Sequence, residues 1–545
     1  MKSAEEFDAV IVGSGAGGGT MAFGLTRKKM RVLILEAGPR FNPFEDYKLA
    51  EETWEQQGFP HKPESEGRQT FAELQEIGPE LDDLQSWNAV AGRTNPTKRR
   101  SPHKYHHVRG VGGSTLAFTG ESHRLHPDAM QMKTRFGVAA DWPVDYKTLE
   151  PFYSEAERII GVAGPENPGA RWRSEPYPLP AHAPGFPSQK LKAGAEQLGY
   201  QWDQNSRAAL SKPYHGRPNC NYCANCNRGC PRTDKGSVDV TFLRKSEATG
   251  LCTIRTGVTV LRIEAGEDDR VKGVHVIDEE GTSEFIPTRR LVVSCGAVET
   301  PRLLFASGIG NESGQVGKNF METIAWTSSG LHTENLGSYR GLPGDSICWD
   351  FNAPDAIGDG VVGGVRFSTG VGEAALNGPT AYARRVVGGW GESHKKRMRE
   401  VFGHVLSVGS IGESLPNPGS FIDLDPEQKD ANGIPLARIH SHLGEGELKR
   451  LDFMAKTARE ILKASGVTEL VEEYGSLSHF SATHVFGTCR MGENPDDSVV
   501  DEFGRSHRWK NLQIMDASVF PSSGGGESPS LTIEALALRA AAGGG

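Results

Sequence analysis

Four cysteines fall close together: Cys220, Cys223, Cys226 and Cys230, with Pro231 directly after the last. The C-x2-C-x2-C-x3-C-P spacing is that of a bacterial ferredoxin cluster loop, in which short links bring thiolates around one cubane. Zinc is a weaker alternative, because four-cysteine zinc sites usually use two separated pairs. Free structural thiols and a pair of disulfides are weaker still, since C-x2-C disulfides are usually redox-active. There is no second set of clustered cysteines. The loop therefore predicts one [4Fe–4S] cluster on all four thiolates or a [3Fe–4S] cluster on three. Cys252, Cys295, Cys348 and Cys489 are scattered, which is not the pattern of a secreted disulfide framework.

A second stretch also has chemical content. Gly13-Ser-Gly15-Ala-Gly-Gly18 matches G-x-G-x-x-G. Gly13 suits the tight turn, Gly15 lets backbone approach a pyrophosphate, and Gly18 permits close helix–strand packing. The following helix start offers free N–H groups and a positive dipole end to the phosphates. Glu36 lies 23 residues after Gly13, where a carboxylate binds a ribose hydroxyl. That acid favours an unphosphorylated adenosine ribose, so FAD or NAD fits better than NADP.

These residues need elements to hold them. FDAVIV (Phe7 to Val12) reads as a buried parallel strand, GSGAGGGTMAFGLTRKK turns into a helix, and RVLILE (Arg31 to Glu36) is the next strand. This is a βαβ unit. From Cys252 to Cys295 the pattern is β-rich, and SICWDF, GVVGGVRF, HVLSVGS and GSFIDLD predict a second sheet. Glu447 to Gly466 is an amphipathic helix with Leu448, Leu451, Ala455, Ala458 and Leu462 on one face and Gly466 as its C-cap. LTIEALALRAAA reads as a closing helix. In DWPVDYKTLEPFYSEAERIIGVAG (Asp141 to Gly164), an amphipathic helix packing its aromatics inward is a better reading of Trp142, Tyr146 and Tyr153 than sugar stacking.

At 545 residues the chain exceeds one ordinary core. Its net charge of −9 argues against nucleic acid or an anionic membrane surface as partner. No apolar run approaches the roughly 20 residues of a membrane span. The opening MKSAEEFDAVIVGSG lacks the basic and apolar regions of a signal peptide.

Three later stretches carry a family resemblance. They are RGVGGSTLAFTGES from Arg109, SCGAVETPRLLFASGIG from Ser294, and THVFGTCRMG from Thr483 followed by NLQIMDASVFPSSGGGESPSLTIEALALR. The set, in this order, resembles the glucose–methanol–choline (GMC) oxidoreductases. The resemblance implies FAD and an α/β fold: a Rossmann-like FAD-binding domain plus a substrate-binding cap domain with an antiparallel sheet and helices. The expected FAD-binding domain is discontinuous, over 1–40, 105–165, 235–325 and 475–545. Residues 41–104 form an excursion, 166–234 a linker region with the cysteine loop 220–231, and 326–474 the substrate-binding domain.

The expected cofactor contacts combine both lines of reading. Arg109 opens the stretch whose Gly112-Gly113-Ser114 turn lets N–H groups crowd the flavin, and Cys295-Gly296 ends a strand beside it. The resemblance adds Val260 near the adenine and Asp516-Ala517 near the pyrophosphate and isoalloxazine. Some relatives attach FAD through a histidine in the first of these stretches. STLAFTG has none, so the expectation is non-covalent FAD.

The resemblance also assigns the base. The His five residues before the Cys of G-T-C is His484, and an imidazole suits proton removal near neutral pH. The family's second catalytic side chain, His or Asn, aligns on Ser528, flanked by Glu527; this is a departure, and either residue could complete the pair. The cysteine loop resembles, with different spacing, the insert of bacterial sugar dehydrogenases of this family. A cluster carries electrons one at a time toward the surface, which an oxidase does not need. The expectation is therefore a dehydrogenase for a sugar or glycoside that reduces a cytochrome c-type acceptor, with a small subunit as partner. Such a chain is periplasmic by co-export with that partner, or cytoplasmic. The rivals are an oxidase using O2 with a structural cysteine loop, a zinc-stabilised member of the family, and a lyase that binds FAD structurally.

Overall fold

The protein is described here by a computed structural model covering residues 7–47, 49, 54–55, 68–102, 105, 107–166, 171–370, 376–480 and 484–543. Ala9–Val12, Val32–Leu35 and Leu291–Val293 are apolar runs without alternation, and every residue in them is buried. That is the signature of strands covered on both faces. They form the centre of a five-stranded parallel sheet, in the order Cys252–Arg255, Val32–Leu35, Ala9–Val12, Leu291–Val293, Leu512–Ile514. Helix Ala16–Arg27 follows the first strand and packs against the closing helix Ser530–Gly543, which is buried from Leu531 to Ala541. Asp145 caps helix Tyr146–Ile160 by accepting from the Thr148 N–H at 2.7 Å, and Gly161 ends it in a left-handed conformation. Its aromatics point inward: Tyr153 is fully buried and bonded to Thr532, and Trp142 donates to Ser522 at 2.7 Å.

The second sheet has eight antiparallel strands, ordered Gly92–Arg93, Trp87–Asn88, Val467–Gly475, Ile324–His332, Val405–Gly412, Val365–Thr369, Ser346–Cys348, Asp203–Gln204. Its period-two alternation divides core from site. Trp326, Phe367, Leu406 and Val408 face helix Glu445–Ala464, together with that helix's Leu451, Met454, Ala455, Ala458 and Leu462. Ala325, Thr327, Ile411 and Tyr474 face a cavity between the two sheets.

Two sequence expectations need correction. GSFIDLD does not join the sheet of SICWDF and HVLSVGS. Phe421–Lys429 pairs with Pro435–His440, which pairs in turn with Gln69–Phe71, in a separate three-stranded sheet. The β-rich stretch from Cys252 to Cys295 also divides. Its two end strands enter the parallel sheet, while Thr259–Ala265, Val271–Ile277 and Ser283–Pro287 form an antiparallel sheet of their own. Local pattern identifies a strand but not its partner. The segment 41–104 contributes short strands to the rims of three sheets. Among the described residues, no helix is long and apolar enough to cross a membrane.

Candidate active site

The carboxyl ends of the parallel strands open into a cavity of about 600 Å³. This is where open α/β sheets bind ligands. Gly13, Gly15, Glu36, Arg109, Gly113, Ser114, Val260, Cys295, Gly296, Asp516 and Ala517 all line it. Gly18 and Gly112 lie just behind. A β-carbon on Gly18 would stand 2.0 Å from the Gly13 carbonyl oxygen, so only glycine allows this helix to sit so close to its strand. Gly113, at φ +56°, brings its backbone against Gly15; a β-carbon there would lie 2.7 Å from the Gly15 α-carbon. Two bare backbone turns thus face each other across one end of the cavity.

Glu36 organises that end. Its Oε2 accepts from the Ser14 N–H at 3.1 Å and the Ser14 hydroxyl at 2.5 Å, and its Oε1 accepts from the Gly38 N–H at 2.9 Å. Burial pushes this carboxyl above its usual range against the pull of those bonds. Asp516 accepts from the Gly296 N–H at 2.9 Å and Thr300 Oγ1 at 2.6 Å, which pins the start of helix Gly296–Ser307 at the cavity wall. The paired glycine turns, the helix starts and the buried acid fit a dinucleotide with its ribose on Glu36 and its pyrophosphate over the N–H groups.

The far end carries His484. Its carbonyl accepts from the Thr323 N–H at 3.0 Å, and Val485–Phe486 pairs with Met321–Glu322. Onward, Gly487, Cys489 and Met491 hydrogen-bond to residues 517–519. This ladder fixes the imidazole against the cavity, and its Nδ1 is buried without a partner among the described residues. Burial first, then the Arg366 guanidinium, pushes the His484 pKa down to about 4, against the opposing Glu121 charge. The ring is neutral and able to take a proton across the physiological range.

Ser528 lines the same cavity, and its hydroxyl donates to Glu121 Oε2 at 3.2 Å. Glu121 is held by Arg366 at 2.5 Å and Arg207 at 3.4 Å. Burial alone would raise its pKa, but Arg366, His123 and Arg207 outweigh that and hold it near 2. The Ser528 N–H donates to His123 Nδ1 at 3.2 Å, so His123 carries its proton on Nε2 and donates it to Asn205 Oδ1 at 2.9 Å. Asn205 in turn donates to Glu121 Oε1 at 3.1 Å. A closed polar network therefore fixes the orientation of Ser528. Glu527 turns the other way: its Oε1 accepts from the His126 N–H, Asn352 and Arg171, and its side chain does not line the cavity.

Sequence reading missed Glu121, His123, Asn205 and Arg366. Arg366 had a signal, as a charged residue between the apolar Val365 and Phe367 of a strand. Glu121 and His123 had only their place at the end of a glycine-rich stretch.

The cysteine loop borders this cavity. Cys226–Arg228 is a single helical turn, and Asn227 lines the cavity wall. The Lys235 ammonium, 1% exposed, donates to the Cys226 carbonyl at 2.7 Å, to Leu116 O at 2.7 Å and to Phe118 O at 3.0 Å. It ties the loop to the segment whose Ala117, Phe118 and Thr119 line the cavity. Tyr222 and Ala224, on either side of Cys223, have φ +59° and +60°. Each non-glycine residue held there costs roughly 1–2 kcal/mol and persists only where its surroundings demand it. The Tyr222 N–H donates to Cys220 Sγ at 3.3 Å. Cys220 is buried, Cys223 exposed, and Cys226 and Cys230 half-buried. Among the described residues, no three His, Cys, Asp or Glu side chains are gathered closely enough to hold a metal ion.

The fold and site define a dinucleotide-binding oxidoreductase, and comparison with known proteins gives its family. Family models described as GMC oxidoreductase match residues 105–324 and 416–537, and the chain belongs to that family. It is 30% identical to 2-methyl-1,2-propanediol dehydrogenase of Mycolicibacterium austroafricanum over 99% of this chain and 95% of that protein. It is 28% identical to the fructose dehydrogenase large subunit of Gluconobacter japonicus, over 98% of this chain and 97% of that one. Its fold matches the crystal structure of pyridoxine 4-oxidase from Mesorbium loti, with a TM-score of 0.62 and 18% identity over 98% of both chains. The protein is an FAD-dependent oxidoreductase acting on the CH–OH groups of alcohols or sugars.

Proposed function

We propose that the chain oxidises a hydroxyl of a sugar or glycoside with non-covalent FAD, and passes the electrons through an iron–sulfur cluster on Cys220, Cys223, Cys226 and Cys230 to a cytochrome-type acceptor. One observation carries this reading: a single cavity runs from the dinucleotide turns to His484 and Ser528, with Asn227 of the cysteine loop in its wall. FAD held by the glycine turns, Glu36 and Asp516 would supply the hydride acceptor for the alcohol carbon. His484, neutral and fixed by its ladder, takes the hydroxyl proton. Ser528 spends its own proton on Glu121 and so presents lone pairs to a substrate hydroxyl. Thr327 and Tyr474 add polar groups suited to a polyhydroxylated substrate. Ser114–Thr119 contains no histidine to form a covalent flavin link.

The pH dependence follows from His484. Its neutral form persists down to about pH 4, so the rate of anaerobic flavin reduction should stay level from pH 7 to about 5 and fall only as pH drops through about 4. Rapid-mixing absorbance across that range checks this. A fall already complete by pH 6 would assign the base elsewhere.

For the cluster, four thiols on one loop, the N–H···S bond and the two strained residues beside Cys223 suit an iron–sulfur centre. Its place beside the cavity suits electron transfer. The relative's printed name, a large subunit, supports a smaller partner, with co-export as the route to the periplasm; the alternative is a cytoplasmic enzyme. The ungathered sulfurs of the described residues favour one rival reading, an O2-using oxidase with a structural cysteine loop; a zinc-stabilised member of the family is the other. Iron and acid-labile sulfide per flavin, with EPR on anaerobically purified protein, decide between them. Three or four irons per flavin are expected on one full cluster. Flavin with zinc, or with no metal, would overturn the relay.

A further inference from the structure

Trp390 is 87% exposed, more than any other large apolar side chain among the described residues. Burial of that indole is a favourable step that the folded chain leaves untaken. The chain around it holds the ring out. Gly388, Gly389 and Gly391 have φ of +59°, +69° and +77°, a region that favours glycine. Gly388 rests directly on Val90, since a β-carbon there would stand 2.1 Å from Val90 Cγ1. The Nδ1–H of His394 donates to the Gly388 carbonyl at 2.5 Å and closes the turn. The turn feeds helix Gly391–Val401, whose N-cap is Trp390 itself, with no side chain capping it.

That helix lies on the surface and is cationic. Val401 is its one buried residue, with His394 and Met398 half-buried on the same face. Residues 384–400 carry six cations, Arg384, Arg385, Lys395, Lys396, Arg397 and Arg399, against Glu392 and Glu400. Arg385 pairs with Glu472, and Arg397 reaches Glu469 at 3.5 Å and Glu400 at 3.8 Å. Arg384, Lys395, Lys396 and Arg399 are exposed and have no ion-pair partner among the described residues. The uncapped N–H groups of the first turn add to this positive potential, against Glu392 alone in that turn.

A cationic patch around an indole suits either an acidic protein or an anionic lipid layer. A specific protein interface covers about 800 Å² per partner and sets its anchors in packed pockets. Trp390 instead stands clear of the surface, and the apolar surface brought against its turn is the hairpin tip at Val90. A lipid headgroup layer needs only a protruding amphipathic ring with cations beside it. We propose that this face docks on an anionic lipid surface, with Trp390 among the headgroups and Lys395, Lys396 and Arg399 over the lipid phosphates. At physiological salt, charges beyond about 8 Å are screened, so the local surplus governs the contact and the chain's net charge of −9 does not oppose it. The contact is peripheral, uses no residue that lines the cavity, and is independent of the reading of the cysteine loop.

Flotation of the FAD-loaded chain tests this, with vesicles of phosphatidylcholine alone or with about 30% phosphatidylglycerol. The bound fraction should be at least about fivefold higher on the anionic vesicles and fall back at about 0.5 M salt. Trp390→Ala, and Lys395→Glu combined with Lys396→Glu, should each cut it about fivefold or more, with FAD content and thermal midpoint at wild-type values. Equal binding to both vesicles, or binding that survives either variant, would overturn the proposal. So would a chain that floats with neither vesicle. If that chain still binds soluble polyglutamate, and the charge reversal abolishes it, the patch takes an acidic protein instead. Should a variant lose its FAD, the wild type decides. Phosphatidylglycerol brominated in the upper acyl chain should quench part of its tryptophan fluorescence at low salt, and an absence of quenching overturns the docking.

Discussion

Replacing His484 with Ala is expected to slow anaerobic flavin reduction by about 10²–10⁴-fold, the usual worth of a positioned general base. FAD content should stay at the wild-type level, because the dinucleotide end of the cavity is built from Glu36, the glycine turns and Asp516, all on other segments. The affected step is proton removal from the substrate hydroxyl, so kcat should fall much more than KM rises. Stopped-flow traces at several substrate concentrations separate the two. A variant that reduces its flavin at the wild-type rate would remove His484 from the chemistry. One that loses FAD would make it a structural residue.

Cys226→Ser should have the next largest effect, and on a different half of the reaction. On the proposed relay, loss of one thiolate from the four-cysteine loop would remove or remodel the cluster, so turnover with cytochrome c should fall on the order of tenfold or more. Flavin reduction by the same sugar should stay within about twofold, since that step needs only a base and a hydride acceptor. Iron analysis and the two half-reactions, measured separately, check this. Equal losses in both half-reactions would mean that the loop supports the cavity wall and carries no electrons. Unchanged cytochrome reduction would mean that electrons leave the flavin by another path.

The sequence makes some parts of this molecule legible because local physics dictates them. The parallel core strands are short apolar runs beside glycine turns, and every residue of Ala9–Val12 and Val32–Leu35 is buried. The dinucleotide end follows from that unit. His484 and Ser528 were reached through resemblance rather than spacing, since no local pattern links residues that meet only across the fold. Glu527 shows the limit well. Adjacent to Ser528 in sequence, it turns away from the cavity toward Asn352, Arg171 and the His126 N–H. Sheet membership was illegible for a similar reason: Phe421–Lys429 alternates like its neighbours, but its hairpin partner Pro435–His440 pairs in turn with the distant Gln69–Phe71, outside the eight-stranded sheet. The Glu121–His123–Asn205–Ser528 network depends on side-chain directions set by three separate segments, which composition cannot reveal.

The central claim is that the cavity oxidises a sugar or polyol hydroxyl on its flavin. The most direct test is to add fructose, glucose, gluconate, a methyl glucoside and 1,2-propanediol, one at a time, to the FAD-loaded protein without oxygen, and to follow flavin absorbance. The account predicts that at least one bleaches the flavin fully, with one equivalent sufficing per bound FAD. A flavin that dithionite reduces but that none of these alcohols bleaches would contradict it.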